Sequence, residues 1–318
     1  MKQRLVYGSL MILAIVGVVW LDGALARRAL ERFGSAEEPA ARAGLVACGL
    51  PFTLLVVMLA VLATFELARL CEAGGFRPMT WWAAAVCAGM VFLPWIERIQ
   101  YEVGLSPKLG FVQARMPLGL WWLAGGLLGT CLAALLRKTT DKALPNMALT
   151  LFLILYPGLL GSFAVRIRCM DPGPGGAALV VYFILTVKSS DIGAYFTGRA
   201  IGRHKLIPWL SPGKTIEGAV GALVLAGVVG LAGMLVWRGF QGWGPPPLSL
   251  SQALFFGIVM AIFGHLGDLA ESALKRDVGM KDSGAVVPSF GGLLDILDSP
   301  LFAAPAAWCL LNFWAPVR

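Results

Sequence analysis

The chain has 318 residues, of which 58% are hydrophobic and only 14% charged, and its mean hydropathy is +0.77. A soluble domain carries about a quarter of its residues as charges, so the composition excludes a water-soluble globular protein and describes one that resides in a bilayer. The formal net charge of +8 does not point to nucleic acid, because the cations are scattered among connecting segments rather than massed in one patch; they read as loop anchors with an attraction to anionic lipid.

Apolar runs long enough to cross about 30 Å of hydrocarbon fall near Leu5 to Trp20, Gly44 to Phe65, Thr80 to Trp95, Leu118 to Leu136, Met147 to Val165 and Ala177 to Thr197. Three more follow near Ala219 to Trp237, Ser251 to Leu266 and Pro300 to Trp314. The expected fold is all-α, a polytopic membrane protein of about nine transmembrane helices. Lys2 and Arg4 ahead of the first run, with Ala24 and Ala26 after it, resemble a cleaved signal. In a chain this hydrophobic, a permanent first helix is the better reading. With Lys2 and Arg4 inside, Arg137, Lys138, Lys142 and the loops Arg199 to Lys214 and Lys275 to Lys281 also lie inside, opposed by Arg27, Arg28, Arg32 and Arg42. The cysteines show no CxxC spacing and read as free thiols.

Up to about Arg168 nothing in the sequence suggests chemistry. Trp81-Trp82 and Trp121-Trp122 read as markers of the water interface, and Glu97, Arg98 and Glu102 as a solvated loop. From Lys188 onward ionisable groups enter the apolar runs: Lys188 and Asp191 in the sixth, His265, Asp268 and Glu271 at the end of the eighth. This change divides the chain into N-terminal membrane helices (1–175) and a C-terminal membrane region with interfacial polar loops (176–318), where any catalytic groups are expected. An ionisable side chain near the bilayer centre costs about 2.5 to 3.5 kcal/mol on insertion scales. Such groups must face one another, a cavity or bound ions.

Lys188 and Asp191, three apart on a helix, share a face and either pair or line a cavity together. The next segment, DIGAYFTGRAIGR, ends in Arg199 and Arg203 at the membrane surface. Ser211 to Gly218 reads SPGKTIEG, in which Gly213, Lys214 and Thr215 match the end of a phosphate-binding P-loop. Pro208 stands where the first glycine belongs and no strand is expected before it, so the match fails. A turn carrying a cation and a hydroxyl remains, opening a helix near Glu217 whose free N–H groups suit an anion. Asp268, Glu271, Ser272 and Lys275 then fall on one helical face with Arg276 beside them, and Asp295 and Asp298 repeat the three-residue spacing after Gly291-Gly292. Carboxylate oxygens combined with phosphate oxygens are what Mg²⁺ prefers. Two distant histidines and no Cys/His cluster disfavour zinc.

The segments GDLAES, LKRDVGMKD, SFGG and LDILDS, with AYFTGR and SPGKTIEG upstream, resemble the phosphatidate cytidylyltransferases, also called CDP-diacylglycerol synthases. The resemblance covers roughly Lys188 to Ser299. It implies transfer of CMP from CTP to phosphatidate, with Mg²⁺ as cofactor and a second cation as a further possibility. It also implies a homodimer in a bacterial-type inner membrane with the active-site loops on the cytoplasmic side. Carried onto this sequence, it makes Asp268, Lys275, Arg276 and Asp295 catalytic, and Asp268, Asp295 and Asp298 metal ligands. The substrates fall to Lys188, Asp191, Arg199, Arg203, Ser211, Lys214, Thr215, Glu217, Ser272, Lys281 and Asp282. Two positions depart from the family pattern: Phe290 stands for its histidine and Ile296 for its arginine. Other classes remain open at this stage: a lipid or polyprenol kinase using CTP, a transporter with an intramembrane relay, or a catalytically weak scaffold.

Overall fold

The computed structural model describes residues 17–29, 31, 48–102, 118–240, 243–280 and 292–314. Lys281, Asp282, Phe290 and most of the first expected apolar run lie outside these residues. The described chain is helical at 17–29 (α1), Leu50–Ala73 (α2), Thr80–Glu102 (α3), Leu118–Leu136 (α4) and Ala143–Arg168 (α5). Then come Pro174–Ile201 (α6), a two-stranded antiparallel ribbon of Lys205–Ile207 (β1) and Ser211–Thr215 (β2), Ile216–Gly239 (α7), Leu250–Asp277 (α8) and Leu294–Trp314 (α9). Eight of the helices, α2 to α9, are long and apolar enough to span a membrane, because only helices satisfy every backbone polar group from within when no water is at hand.

Local chemistry accounts for the details. Helix α5 passes through a π-helical turn at Leu155–Leu159, where Pro157 cannot donate to the regular ladder. Ser249 and Gln252 form a reciprocal capping box at the start of α8. One side of α7 is a stripe of exposed Ile216, Val220, Val224 and Val228, one turn apart.

Several expectations change. Glu97 and Arg98 belong to the last turns of α3, where Glu97 pairs with Arg166 of α5 at 3.1 Å and Arg98 donates to the Cys48 carbonyl. Trp82 and Trp122 do more than mark an interface: their ring N–H groups cross between α3 and α4, to Thr130 at 3.2 Å and to the Val86 carbonyl at 2.8 Å. The segment SPGKT, read as a turn without a strand before it, is itself β2, paired with β1.

One buried cluster joins Val19, Phe52 and Ile167 to Phe183, Phe256 and Leu311, and a second joins Leu67, Leu70 and Leu153 to Leu294 and Leu301. At the end of the bundle where α2 begins, Asp22 and Arg168 form a fully buried ion pair. Asp22 also accepts from the Gly49 N–H at 2.8 Å, and Arg168 donates to the Asp171 carbonyl at 2.8 Å, so α1, α2, α5 and the turn before α6 are tied together.

Helices α7 and α8 touch backbone to backbone at Gly257, where an added Cβ would lie 2.2 Å from the Ala226 carbonyl oxygen. Gly257→Ala is therefore expected to destabilise the protein by about 1–3 kcal/mol of overpacking. Gly125→Ala, with open space around it, is expected to lose nothing. Thermal unfolding of both variants in detergent checks the contrast.

Candidate functional site

The ends of α6 and α8, the starts of α7 and α9, and the β-ribbon converge on one polar cavity of about 500 Å³. Asp191 stands ten residues before the end of α6, and Asp268 nine before the end of α8. At 1.5 Å per residue both lie about 15 Å along the helices from that end, so the cavity reaches well into the bundle.

Three carboxylates define its floor. Asp268, Glu271 and Asp298 each place an oxygen within 4.8 Å of the others; Glu271 and Asp298 are buried and Asp268 is half-exposed. The three-residue spacing of Asp268 and Glu271 puts both on one face of α8, and Asp298 comes from the first turns of α9. Gly267 allows the approach: a Cβ there would sit 2.4 Å from the Asp298 carbonyl oxygen.

Each carboxylate is anchored through one oxygen. Lys214, carried by β2, pairs with Asp268 at 2.8 Å. Lys275 donates to Glu271 at 2.9 Å and also pairs with Asp295, while Asp298 accepts from the Ser299 N–H. The second Glu271 oxygen, Oε1, is buried without a protein partner. An unpaired buried carboxylate oxygen beside two further carboxylates is a costly arrangement that a divalent cation with hard oxygen preferences would relieve. The donor set, all carboxylate oxygen, fits the hard-oxygen preference of Mg²⁺.

Of the residues expected from the sequence, the cavity gathers Asp191, Arg199, Lys214, Thr215, Asp268, Lys275, Asp295 and Asp298. Asp295 stands one step outside the acidic triad, held by Lys275 and by the Gly292 N–H at 2.7 Å. Lys188 pairs with Asp191 at 3.1 Å and faces an adjoining cavity. Thr215 caps α7 by accepting from the Gly218 N–H at 3.1 Å, with its hydroxyl at the cavity wall.

Arg203, Ser211, Glu217, Ser272 and Arg276 do not line the cavity. Glu217 instead folds back to accept from the backbone of Arg203 and His204 and meets the His204 ring at 2.6 Å, fastening the ribbon to α7. Arg276 is exposed and bonds weakly to the Met280 carbonyl. Lys281 and Asp282 lie outside the described residues. Glu271 was absent from the expected ligands although its place on the Asp268 face signalled it; Tyr195, His265 and Ser299 also line the cavity.

A second, apolar cavity of about 480 Å³ adjoins the first, and Asp191 and Asp295 line both. Its walls come from α2, α5, α6 and α9, including Val56, Phe183, Leu297 and Ile296. The departure from the family pattern at Ile296 lines this apolar cavity, where an isoleucine is at home.

Replacing Glu271 by Gln keeps the shape and removes the charge. Divalent-ion affinity is expected to fall at least about tenfold, since perturbing even an outer partner of a metal typically costs that much. A Mn²⁺ titration of the purified variant, followed by electron paramagnetic resonance, measures it.

A model of the cytidylyltransferase family matches residues 39–314. The chain is 32% identical over 295 residues to an uncharacterized protein, YnbB, of Escherichia coli (strain K12), covering 81% of this chain and 95% of that one. It is 30% identical over 266 residues to the phosphatidate cytidylyltransferase of Bacillus subtilis (strain 168), covering 84% and 90%. Against the phosphatidate cytidylyltransferase of Helicobacter pylori (strain ATCC 700392 / 26695) it is 36% identical over 227 residues, covering 67% and 80%. With the match running through nearly all of the described helices and through every residue of the acidic triad, the chain belongs to the cytidylyltransferase family.

Proposed function

We propose that the protein transfers CMP from CTP to phosphatidate, releasing pyrophosphate and leaving CDP-diacylglycerol in the membrane as an intermediate of phospholipid biosynthesis. The observation that carries this reading is the meeting of two cavities at Asp191 and Asp295: a charged one open to the ribbon and an apolar one among the helices. A soluble triphosphate suits the first and the chains of an anionic lipid suit the second. The junction is where their phosphates would meet.

Asp268, Glu271 and Asp298 would hold a divalent cation. When bound, Mg²⁺ supplies charge neutralisation to the phosphate oxygens and helps hold the attacking and leaving oxygens in line. The residues of the chain supply the rest by positioning and fixed charge. Lys275, locked between Glu271 and Asp295, keeps a cation beside the triad. Lys214 sits on the opposite wall and, by turning from Asp268, neutralises the triphosphate as it enters. Arg199, exposed at the end of α6 and holding the Tyr195 hydroxyl at 2.9 Å, faces the headgroup. Lys188 offers a charge at the mouth of the apolar cavity. One oxygen of the lipid phosphate attacks the α-phosphorus, its bond to the β-phosphate oxygen breaks, and no covalent enzyme intermediate is needed.

The same reading places the ribbon and the cavity mouth on the cytoplasmic side of an inner membrane, where CTP is found, and the protein as a homodimer. Residues 176–318 carry the reacting groups, and 1–175 brace them and help wall the lipid cavity.

The test uses purified protein in detergent with phosphatidate, Mg²⁺ and CTP labelled at either the α- or the γ-phosphate. Label from the α-position is expected in the lipid product, abolished by Asp298→Asn. Label from the γ-position in lipid would instead identify a CTP-dependent kinase, and no labelled lipid from a folded preparation would overturn the assignment.

A further inference from the structure

Helix α9 carries Asp295 and Asp298 within its first two turns, and Asp295 folds back to accept from the Gly292 N–H at 2.7 Å. The first backbone N–H groups of a helix lack partners inside it, and the residues before Asp295 are the apolar Leu293 and Leu294. Leu294 is fully buried, so water does not substitute. Its N–H is met from 228 residues away: the Glu66 carboxylate of α2, itself 1% exposed, accepts it at 2.7 Å.

We infer that Glu66 is a positioning residue for the acidic site, fixing from α2 where the first turn of α9, and with it Asp298 and Asp295, stands relative to α8. An ionised or polar oxygen at a helix N-terminus offsets both the orphaned donor and the positive end of the helix dipole. Here it also sets geometry. Leu67, the next residue of α2, packs in the same buried cluster as Leu294 and Leu301, so the two helices meet along an apolar seam to which Glu66 adds a polar bond. Apolar packing alone tolerates sliding; a 2.7 Å bond to a single N–H does not. Asp298 belongs to the triad, and Asp295 fastens Lys275, so a shift at the start of α9 displaces a carboxylate and the neighbouring cation together. The Glu66 bond goes to the Leu294 backbone and so acts on where the helix starts.

The inference rests on the reading of the triad as a divalent-cation site, and its test does not depend on turnover. Mn²⁺ binding is titrated by electron paramagnetic resonance on purified wild type, Glu66→Gln, Glu66→Met and Leu67→Ala, with thermal unfolding in parallel. Glu66→Gln keeps an acceptor oxygen and is expected to bind Mn²⁺ within about threefold of wild type. Glu66→Met keeps the length without the acceptor, and its affinity is expected to fall about tenfold or more, the usual cost of losing an outer partner of a metal site. Leu67→Ala is expected to lower the unfolding temperature without moving Mn²⁺ affinity. If Glu66→Met does not fold, Glu66→Asp, which draws the carboxylate back by one methylene, is expected to weaken Mn²⁺ severalfold. Wild-type Mn²⁺ affinity in a folded Glu66→Met or Glu66→Asp would overturn the inference, as would an equal affinity loss in Leu67→Ala. Loss of Mn²⁺ binding in every protein including the wild type would instead sink the cation reading on which it stands.

Discussion

Three carboxylates within reach of one another, inside a bundle of apolar helices, are the constraint around which the rest is arranged. Like charges so close repel, and the low dielectric around them magnifies the repulsion. The chain answers with two lysines from different elements. Lys275 comes from the same helix one turn beyond Glu271, and Lys214 is delivered by the ribbon to Asp268. Those two anchors leave the inner Glu271 oxygen without a protein partner. Charge on the substrate side is thus prepared before any substrate arrives, which is what electrostatic preorganisation requires.

The architecture follows from where such a site can be built. Helix ends bring backbone donors and long cationic side chains to a common level, and the ribbon closes that level from the side of α7. Farther into the bundle α6 and α9, joined by α2 and α5, enclose an apolar cavity, so two shared helices wall both a wet and a dry chamber. The Asp22–Arg168 pair lies at the end of the bundle where α2 begins, tied to Gly49 and Asp171. A buried pair of this kind contributes less to net stability than to a single arrangement of the helices it joins, because desolvation offsets much of its attraction.

How much of this was legible depended on the separation of the partners along the chain. Asp268, Glu271 and Lys275 announced themselves because three- and four-residue spacings put them on one face of one helix. Asp298 followed from the same rule on the next helix. The apolar runs gave the spans, since a hydrocarbon core imposes length and composition directly. The β-ribbon was not legible: Pro212 and Gly213 read as a turn, and strand pairing overrode that local preference. Trp82 and Trp122 have the same composition whether they lie at an interface or lock two helices together, and only packing distinguishes the cases. Glu66 was invisible for the strongest reason, that its partner Leu294 lies 228 residues away and is itself apolar. Sequence spacing speaks to faces of a single element, and it is silent about which elements meet.

The central claim is that Asp268, Glu271 and Asp298 together hold the cation that serves the nucleotide. Anomalous diffraction from crystals of the protein soaked with Mn²⁺ and a non-hydrolysable CTP analogue tests it most directly. The account predicts a single strong Mn²⁺ peak bonded to oxygens of these three carboxylates, with analogue phosphate oxygens completing its shell. A peak coordinated elsewhere, or analogue bound in the polar cavity with no metal at the triad, would contradict it.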